Sequence, residues 1–353
     1  MTAEGGISIA GRSIGPGRRP FVIAEMSGNH NQSLARALEI VEAAAKAGAH
    51  AVKIQTFTAD TMTLDLSERE FFIADPESPW KGSSLYRLYQ QAHTPWEWHK
   101  PIFERCRELG MVGFSSPFDA TAVDFLESLG APCYKIASFE NVDLPLIAKA
   151  AGTGKPLIIS TGMATEAELR EAVGAAREAG CRELLLLKCT STYPASPENT
   201  NLMTLPHMRK LFGCEVGLSD HTPGIGAAVA SIALGATAVE KHFTLRRADG
   251  GVDSTFSIEP DELRALVVET GRAAQALGAV SYGPTEEEKK SLQFRRSLYV
   301  VRDLKAGDLL TPENLRAIRP GLGLPPKYIS QLLGRQVRRD VRRGTPMSWD
   351  LVS

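Results

Sequence analysis

From position 21 to about 277 one unit recurs along the chain: a short apolar run, a polar turn, and a longer segment with apolar residues at helical spacing. The runs cover 21–25, 51–55, 112–115, 133–136, 156–160, 184–189, 216–219 and 238–241. This rhythm predicts alternating strands and helices. Helical stretches follow the runs, for instance 34–47, 120–129, 166–179 and 261–277, and several stop at a glycine (Gly48, Gly130, Gly180, Gly278), as helix ends prefer. Unbroken apolar runs such as the four leucines at 184–187 suit a parallel sheet covered on both faces. Eight such units in about 260 residues predict a TIM (β/α)8 barrel, an α/β fold, with an open doubly wound sheet as the competing topology.

One connection is longer than the others. Residues 57–95, rich in Pro, Ser, Trp and Tyr, follow the second strand on the side where barrel enzymes build their sites, so they either shape a substrate pocket or decorate the rim. After Gly283 and Pro284 the pattern changes to short strands, glycine turns and a Pro-rich stretch. The expected organisation is a barrel over 1–284, a charged linker over 285–292 and a small β-rich domain over 293–353. From Glu286 onward 14 Lys and Arg face 8 Asp and Glu, a net charge of +6 against −7 for the rest. A basic module beside an acidic barrel suggests docking, on its own barrel or a partner's, or else a solvated basic surface.

Composition narrows the class without changing the fold. With 353 residues, 43% hydrophobic and 23% charged, the chain is neither disordered nor collagenous, and it is no small disulfide framework. A net charge of −1 gives no general attraction for nucleic acid or an anionic membrane. Five scattered cysteines, no signal-like N-terminus and no apolar run of membrane length are the expectation for a cytoplasmic protein with reduced thiols.

In a barrel the C-terminal strand ends face the active site. They carry Glu25, Ser27, Asn29 and His30; Lys53, Gln55 and Thr56; Ser115 and Ser116; Lys135, Ser138 and Glu140; Ser160 and Thr161; Lys188, Thr190, Ser191 and Tyr193; Ser219, Asp220 and His221; and Glu240, Lys241 and His242. Lysines with several hydroxyls on one rim suit a small phosphorylated carboxylic acid, whose charges need cations and donors once water is excluded. Strand alternation implies that one of Lys53, Lys135, Lys188 and Lys241 is a buried structural residue. His221 and His242, at the ends of adjacent strands, either share a divalent ion with water and substrate or serve as hydrogen-bonding residues. There is no phosphate-binding Walker loop, and the GIG at 224–226 lacks the third glycine of a dinucleotide fingerprint.

The motifs AEMSGNHNQS (24–33), VKIQT (52–56), FSSPFD (114–119), YKIASFE (134–140), ISTGM (159–163), KCTSTYP (188–194), GLSDHT (217–222) and EKHFT (240–244) together resemble the sialic acid synthase family, from about Ile9 to Leu351. The stretches at 56–65, 80–104 and 246–257 look specifically like the pseudaminic acid synthases of that family, and 295–351 is similar to its antifreeze-like (β-clip) domain. The resemblance implies a transferase that condenses phosphoenolpyruvate with 2,4-diacetamido-2,4,6-trideoxy-L-altrose, giving pseudaminic acid and phosphate by C–O cleavage. It implies a divalent ion, Mn2+ or Mg2+, on His221 and His242. It places phosphoenolpyruvate on Lys53, Ser116, Lys135, Ser138, Ser160 and Ser219, and matches Glu25 to the catalytic carboxylate. Sugar contacts are implied for Gln55, Glu140, Tyr193, Asp253 and Arg319, the last supplied by the partner's cap in a domain-swapped homodimer. Ser191 and Ser116 stand where N-acetylneuraminate synthases commonly carry Asn and Thr, a departure from an N-acetylneuraminate preference.

The implied chemistry needs the open-chain aldehyde of the sugar, attack by C3 of phosphoenolpyruvate, and water addition at C2 before phosphate leaves. Glu25 acts as general base or in ring opening. Alternatives are a legionaminic or N-acetylneuraminic acid synthase, a Schiff-base aldolase using a strand lysine, and a carbohydrate- or ice-binding role for the C-terminal domain.

Overall fold

The computed structural model describes residues 6–78 and 80–353. An antiparallel hairpin of β1 (Ile7–Ile9) and β2 (Arg12–Ile14) comes first. Eight strands follow: β3 (Phe21–Glu25), β4 (Ala51–Thr56), β5 (Val112–Pro117), β6 (Tyr134–Ile136), β7 (Leu157–Ser160), β8 (Leu184–Cys189), β9 (Glu215–Asp220) and β10 (Ala238–His242). They close into a parallel barrel in chain order, with β10 pairing β3. The closed barrel, and not the open sheet, is the fold.

Helices α1 (Leu34–Ala47), α2 (Ala59–Met62), α3 (Leu85–Ala92), α4 (Trp96–Glu108), α5 (Ala120–Ser128), α6 (Leu144–Ala151), α7 (Glu166–Glu178), α8 (Thr204–Phe212), α9 (Gly226–Ala233) and α10 (Pro260–Ala276) lie between or after the strands. Their ends follow local chemistry. Ser33 accepts from the Arg36 N–H at the start of α1, and Asp119 accepts from the Thr121 and Ala122 N–H groups at the start of α5. Thr165 and Glu168 form a reciprocal box at α7. Helix α1 stops at Gly48, whose φ of 91° is a left-handed conformation that a side chain disfavours.

Alternation along the strands sorts the core into two layers. Val22, Ala24, Val52, Ile54, Ile136 and Ile159 point outward and pack with helix residues such as Ile40, Ile102 and Leu126. Phe21, Ile23, Ala51, Phe114, Ile158 and Leu187 point inward and fill the barrel. Ile7, Ile9 and Ile14 of the hairpin join this inner cluster, so the hairpin plugs the N-terminal mouth of the barrel. Sequence reading missed it because two three-residue strands are too short to register as a period.

The long connection after β4 folds into α2, a 3-10 turn at Arg69–Phe71, and α3. The Trp80 indole N–H donates to the carbonyl of Val252 at 2.8 Å, tying this connection to the one after β10.

The chain divides into two compact units after Gly278. The second contains 3-10 turns at Glu288–Phe294, an antiparallel pair β11 (Ser297–Val300) and β12 (Leu315–Ile318), and the short helix α11 (Ile329–Leu332). Isolated bridges such as Leu304 to Val341 and Val337 to Val352 complete it. Leu298, Val300, Leu315, Val341 and Met347 are among its own core residues. Among the described residues no helix is long and apolar enough to cross a membrane.

Candidate active site at the strand C-termini

The parity that buries Phe21 and Ile23 inside the barrel carries one step further to Glu25, and on β4 it runs from Ala51 to Lys53 and Gln55. The same rule turns Ser116, Lys135, Ser160, Ser219 and Glu240 inward above the apolar plug. Lys241 has the opposite parity. It faces outward and pairs with Asp220 at 2.8 Å, so it is the structural lysine that alternation demanded.

Four buried charges meet at the top of the barrel. Lys53 Nζ lies 2.6 Å from Glu25 Oε2 and 3.6 Å from Glu240 Oε1, while Lys135 Nζ lies 3.4 Å from the same Glu240 oxygen. Glu240 was read only as one of many strand-end polar residues, yet it bridges both lysines. Parity was the signal that would have found it, since Glu240 and His242 share a face. Burial raises the pKa of Glu25, and the nearby Lys53 charge only partly offsets this. Burial works against charge on Lys53, but Glu240 and Glu25 outweigh it and raise its pKa. For Lys135 burial wins over Glu240, and its pKa is lowered.

Hydroxyls surround this group. Lys53 Nζ donates to Ser116 Oγ at 3.3 Å, and Ser219 Oγ lies 3.5 Å from Glu240 Oε1. Ser138 accepts from Ser191 at 2.8 Å. Ser160 Oγ is buried with no hydrogen-bond partner, as is Glu140 Oε2. An unmet buried polar group is costly, and each of these two atoms has hydrogen-bonding capacity to spare. Burial pushes the pKa of Glu140 up to about 7.

Glu25 is held from its other side. Gln55 Nε2 donates to Glu25 Oε1 at 3.0 Å and to Ser27 Oγ at 3.1 Å. Ser27 in turn donates to Asp253 Oδ2 at 2.5 Å, which also accepts the Gly28 N–H at 3.2 Å. Ser27 has a φ of 47°, a left-handed conformation that costs a non-glycine residue about 1–3 kcal/mol. Asp253 therefore holds a strained turn beside Glu25. Asn29, on the same turn, is taken up by the Phe243 carbonyl and the Ser257 hydroxyl.

His221 and His242 sit side by side with ring centroids 5.3 Å apart, and Tyr193 packs 4.5 Å from the His221 ring. The Thr190 carbonyl lies 2.8 Å from His221 Nδ1. A carbonyl only accepts, so Nδ1 carries a proton; burial works against a charge on the ring, but the hydrogen bond and charge of Cys189 outweigh it and raise the His221 pKa. Burial, and then the neighbouring His221, drive the His242 pKa well down, leaving a neutral ring whose Nδ1 is buried without a partner. Once His221 gives up its Nε2 proton, the two rings offer lone pairs that suit a divalent ion. Among the described residues no group of three or more His, Cys, Asp and Glu gathers to hold a metal, so further ligands would come from water or substrate. Cys189, at the end of β8, reaches this rim: its Sγ lies 3.8 Å from Ser191 Oγ. Burial raises its pKa, but the His221 hydrogen bond and charge outweigh that and lower it to about 7.

Thirteen of the residues singled out from the sequence thus lie in the first unit, at the strand ends of the barrel or in the connections above them. The fourteenth, Arg319, lies in the second unit. It is exposed, precedes a cis Pro320, and among the described residues pairs with no carboxylate.

Residues 40–282 match the NeuB family and residues 295–353 the SAF domain. The chain is 42% identical to the pseudaminic acid synthase of Helicobacter pylori, over 94% of its own length and 97% of that protein's. It is likewise 42% identical to the pseudaminic acid synthase of Campylobacter jejuni, over 93% and 95%. Its fold is similar to the crystal structure of an N-acetylneuraminic acid synthetase from Leptospira borgpetersenii in complex with citrate, with a TM-score of 0.73, 29% identity, and coverage of 82% of this chain and 96% of that one.

Proposed function

The chain belongs to the NeuB family of synthase enzymes, and on that premise we propose that it condenses phosphoenolpyruvate with 2,4-diacetamido-2,4,6-trideoxy-L-altrose, releasing phosphate and pseudaminic acid. The observation that carries the reading is the convergence of buried Lys53 and Lys135, with the unpartnered Ser160 hydroxyl, at the mouth of the barrel. A phosphorylated acid brings charges that only such a dry, cationic cradle can hold. Lys53 and Lys135 bind its phosphate and carboxylate in exchange for Glu25 and Glu240, while Ser116, Ser138, Ser160 and Ser219 complete the hydrogen bonds.

Glu25 is the acid–base group. Its pKa, raised first by burial, suits a carboxyl that takes a proton from the sugar hydroxyl in ring opening or from the attacking water. Gln55, itself braced by Ser27, holds Oε1, which leaves Oε2 to exchange partners with Lys53. Gln55, Glu140, Tyr193 and Asp253 line the side on which the amino sugar docks, with Arg319 brought by the second unit of a partner chain. His221 and His242 would hold Mn2+ or Mg2+, which when bound acts as a Lewis acid toward a carbonyl oxygen.

The test couples phosphate release from phosphoenolpyruvate to a panel of N-acetylated hexoses. Turnover with the altrose derivative and no other supports the assignment; preference for the precursor of legionaminic or N-acetylneuraminic acid replaces the substrate but keeps the chemistry. In oxygen-18 water the label belongs in the sugar acid, and label in phosphate would overturn C–O cleavage. A Schiff-base aldolase is the second reading, favoured by the burial that lowers the Lys135 pKa. Borohydride trapping with substrate, together with indifference to EDTA, would select it.

A further inference from the structure

The ladder between β9 and β10 ends in two successive pairs at the edge of the site, and a third pair of residues follows just beyond it. Ser219 pairs with Glu240 and Asp220 with Lys241, after which both chains continue into His221 and His242. By parity the first and third pairs face the barrel interior and the middle one faces the helices. That middle pair is an ion pair of 2.8 Å whose side chains are 0% and 1% exposed, with no part in holding the phosphorylated acid.

Its contacts converge on Thr222, the residue after His221. Lys241 Nζ donates to the Thr222 carbonyl at 2.6 Å, and the Thr222 N–H donates to Asp220 Oδ1 at 2.9 Å. Strand β9 ends at Asp220, so ladder pairing to β10 no longer fixes the backbone of His221. What replaces it is this clamp on Thr222, together with the Ala195 N–H donating to the His221 carbonyl at 3.0 Å. His242 directly follows Lys241 on the neighbouring strand. One buried ion pair thus ties down the chain next to both imidazoles.

Stability alone does not call for two buried charges here, because apolar residues of similar volume often match a buried ion pair or exceed it. We infer that the Asp220–Lys241 pair is a positioning pair, setting His221 against His242 at the spacing from which the two rings bind a divalent cation. The inference rests on the metal reading under Proposed function and adds the determinant of cation affinity. Groups that orient ligands from behind change metal affinity by about 10- to 100-fold when removed.

The experiment titrates the full-length chain with Mn2+ and follows free Mn2+ by electron paramagnetic resonance, for the wild type, an Asp220→Leu/Lys241→Met double variant and Asp220→Asn. The double variant is expected to keep its circular dichroism spectrum and Tm and, at saturating Mn2+, its KM for phosphoenolpyruvate. Its Kd for Mn2+ should rise about 10- to 100-fold. A Kd equal to that of the wild type overturns the inference. If the apolar pair does not fold, Asp220→Asn decides by the same readout, since its oxygen still accepts the Thr222 N–H while the ion pair and hydrogen bond to Lys241 are lost. A wild-type chain that takes up no Mn2+ overturns the metal reading and this inference together, whereas equal binding by wild type and variants overturns the inference alone.

Discussion

Burial sets the protonation of Glu25 and Glu140 at the barrel mouth, while charged neighbours outweigh it at Lys53 and Cys189. Glu25, 1% exposed, sits between a lysine and an amide donor. Glu25→Gln keeps the shape but cannot carry a proton, and its single amide oxygen can accept from only one of Gln55 and Lys53. We expect it to lose about 10²- to 10⁴-fold in kcat, with a nearly unchanged KM for phosphoenolpyruvate; steady-state kinetics would expose the opposite split. Glu140 shows the same physics on the pH axis. The folded chain keeps its proton to about pH 7, against an ordinary value of 4.5. Between these values the folded state binds more protons than the unfolded one, so stability falls as pH rises through that window, and the full cost is present above it. Glu140→Gln removes this cost. Its stability relative to wild type should improve by up to about 3 kcal/mol between pH 4.5 and 8, as read from urea unfolding across pH. A pH-independent difference would show that Glu140 titrates as if in water.

At the scale of elements, the hairpin and the helix caps carry separate burdens. Ile9 is 0% exposed in the barrel plug, and truncating it leaves a cavity that the surrounding strands cannot collapse into. Ile9→Ala should cost about 2–5 kcal/mol in chemical denaturation while leaving KM unchanged, because the plug closes the mouth opposite the strand ends that carry the chemistry. Thr165→Ala, which removes the reciprocal box at α7, should cost only about 1 kcal/mol. A larger loss at Thr165 than at Ile9 would reverse this ranking of cap against core.

At the scale of the whole molecule, the proposed function joins the barrel of one chain to the second unit of another. The net +6 after residue 285 against −7 before it, and the exposed Arg319 that pairs with no carboxylate among the described residues, suit a site completed by a second copy. Mixing Arg319→Ala chains with Glu25→Ala chains distinguishes the arrangements. In a swapped homodimer the hybrid joins an intact barrel to an intact cap, so equal mixing should restore about a quarter of wild-type activity. Self-contained chains would stay inactive in every mixture.

The repeating apolar runs and glycine-stopped helices sufficed to determine the eight strand–helix units, because strand and helix periods are local and each unit repeats them, while the choice of closed barrel over open sheet fell to the pairing of β10 with β3. The change of pattern after Pro284 likewise marked a second, β-rich part, and position at strand ends was enough to mark the polar rim. Tertiary structure alone decided which rim residues meet. Only closure of the ring brings β10 beside β3, and with it Glu240 toward Lys53, although 187 positions separate them. Lys53 and Lys241 both stand at strand ends in the sequence, yet one lies in the site and the other behind it. The difference is a single residue of register, which in a pleated strand turns a side chain to the opposite face. The hairpin plug and the support that Asp253 lends to Ser27 were invisible for a related reason: short strands carry no period, and contacts across 226 positions exist only once the barrel has closed.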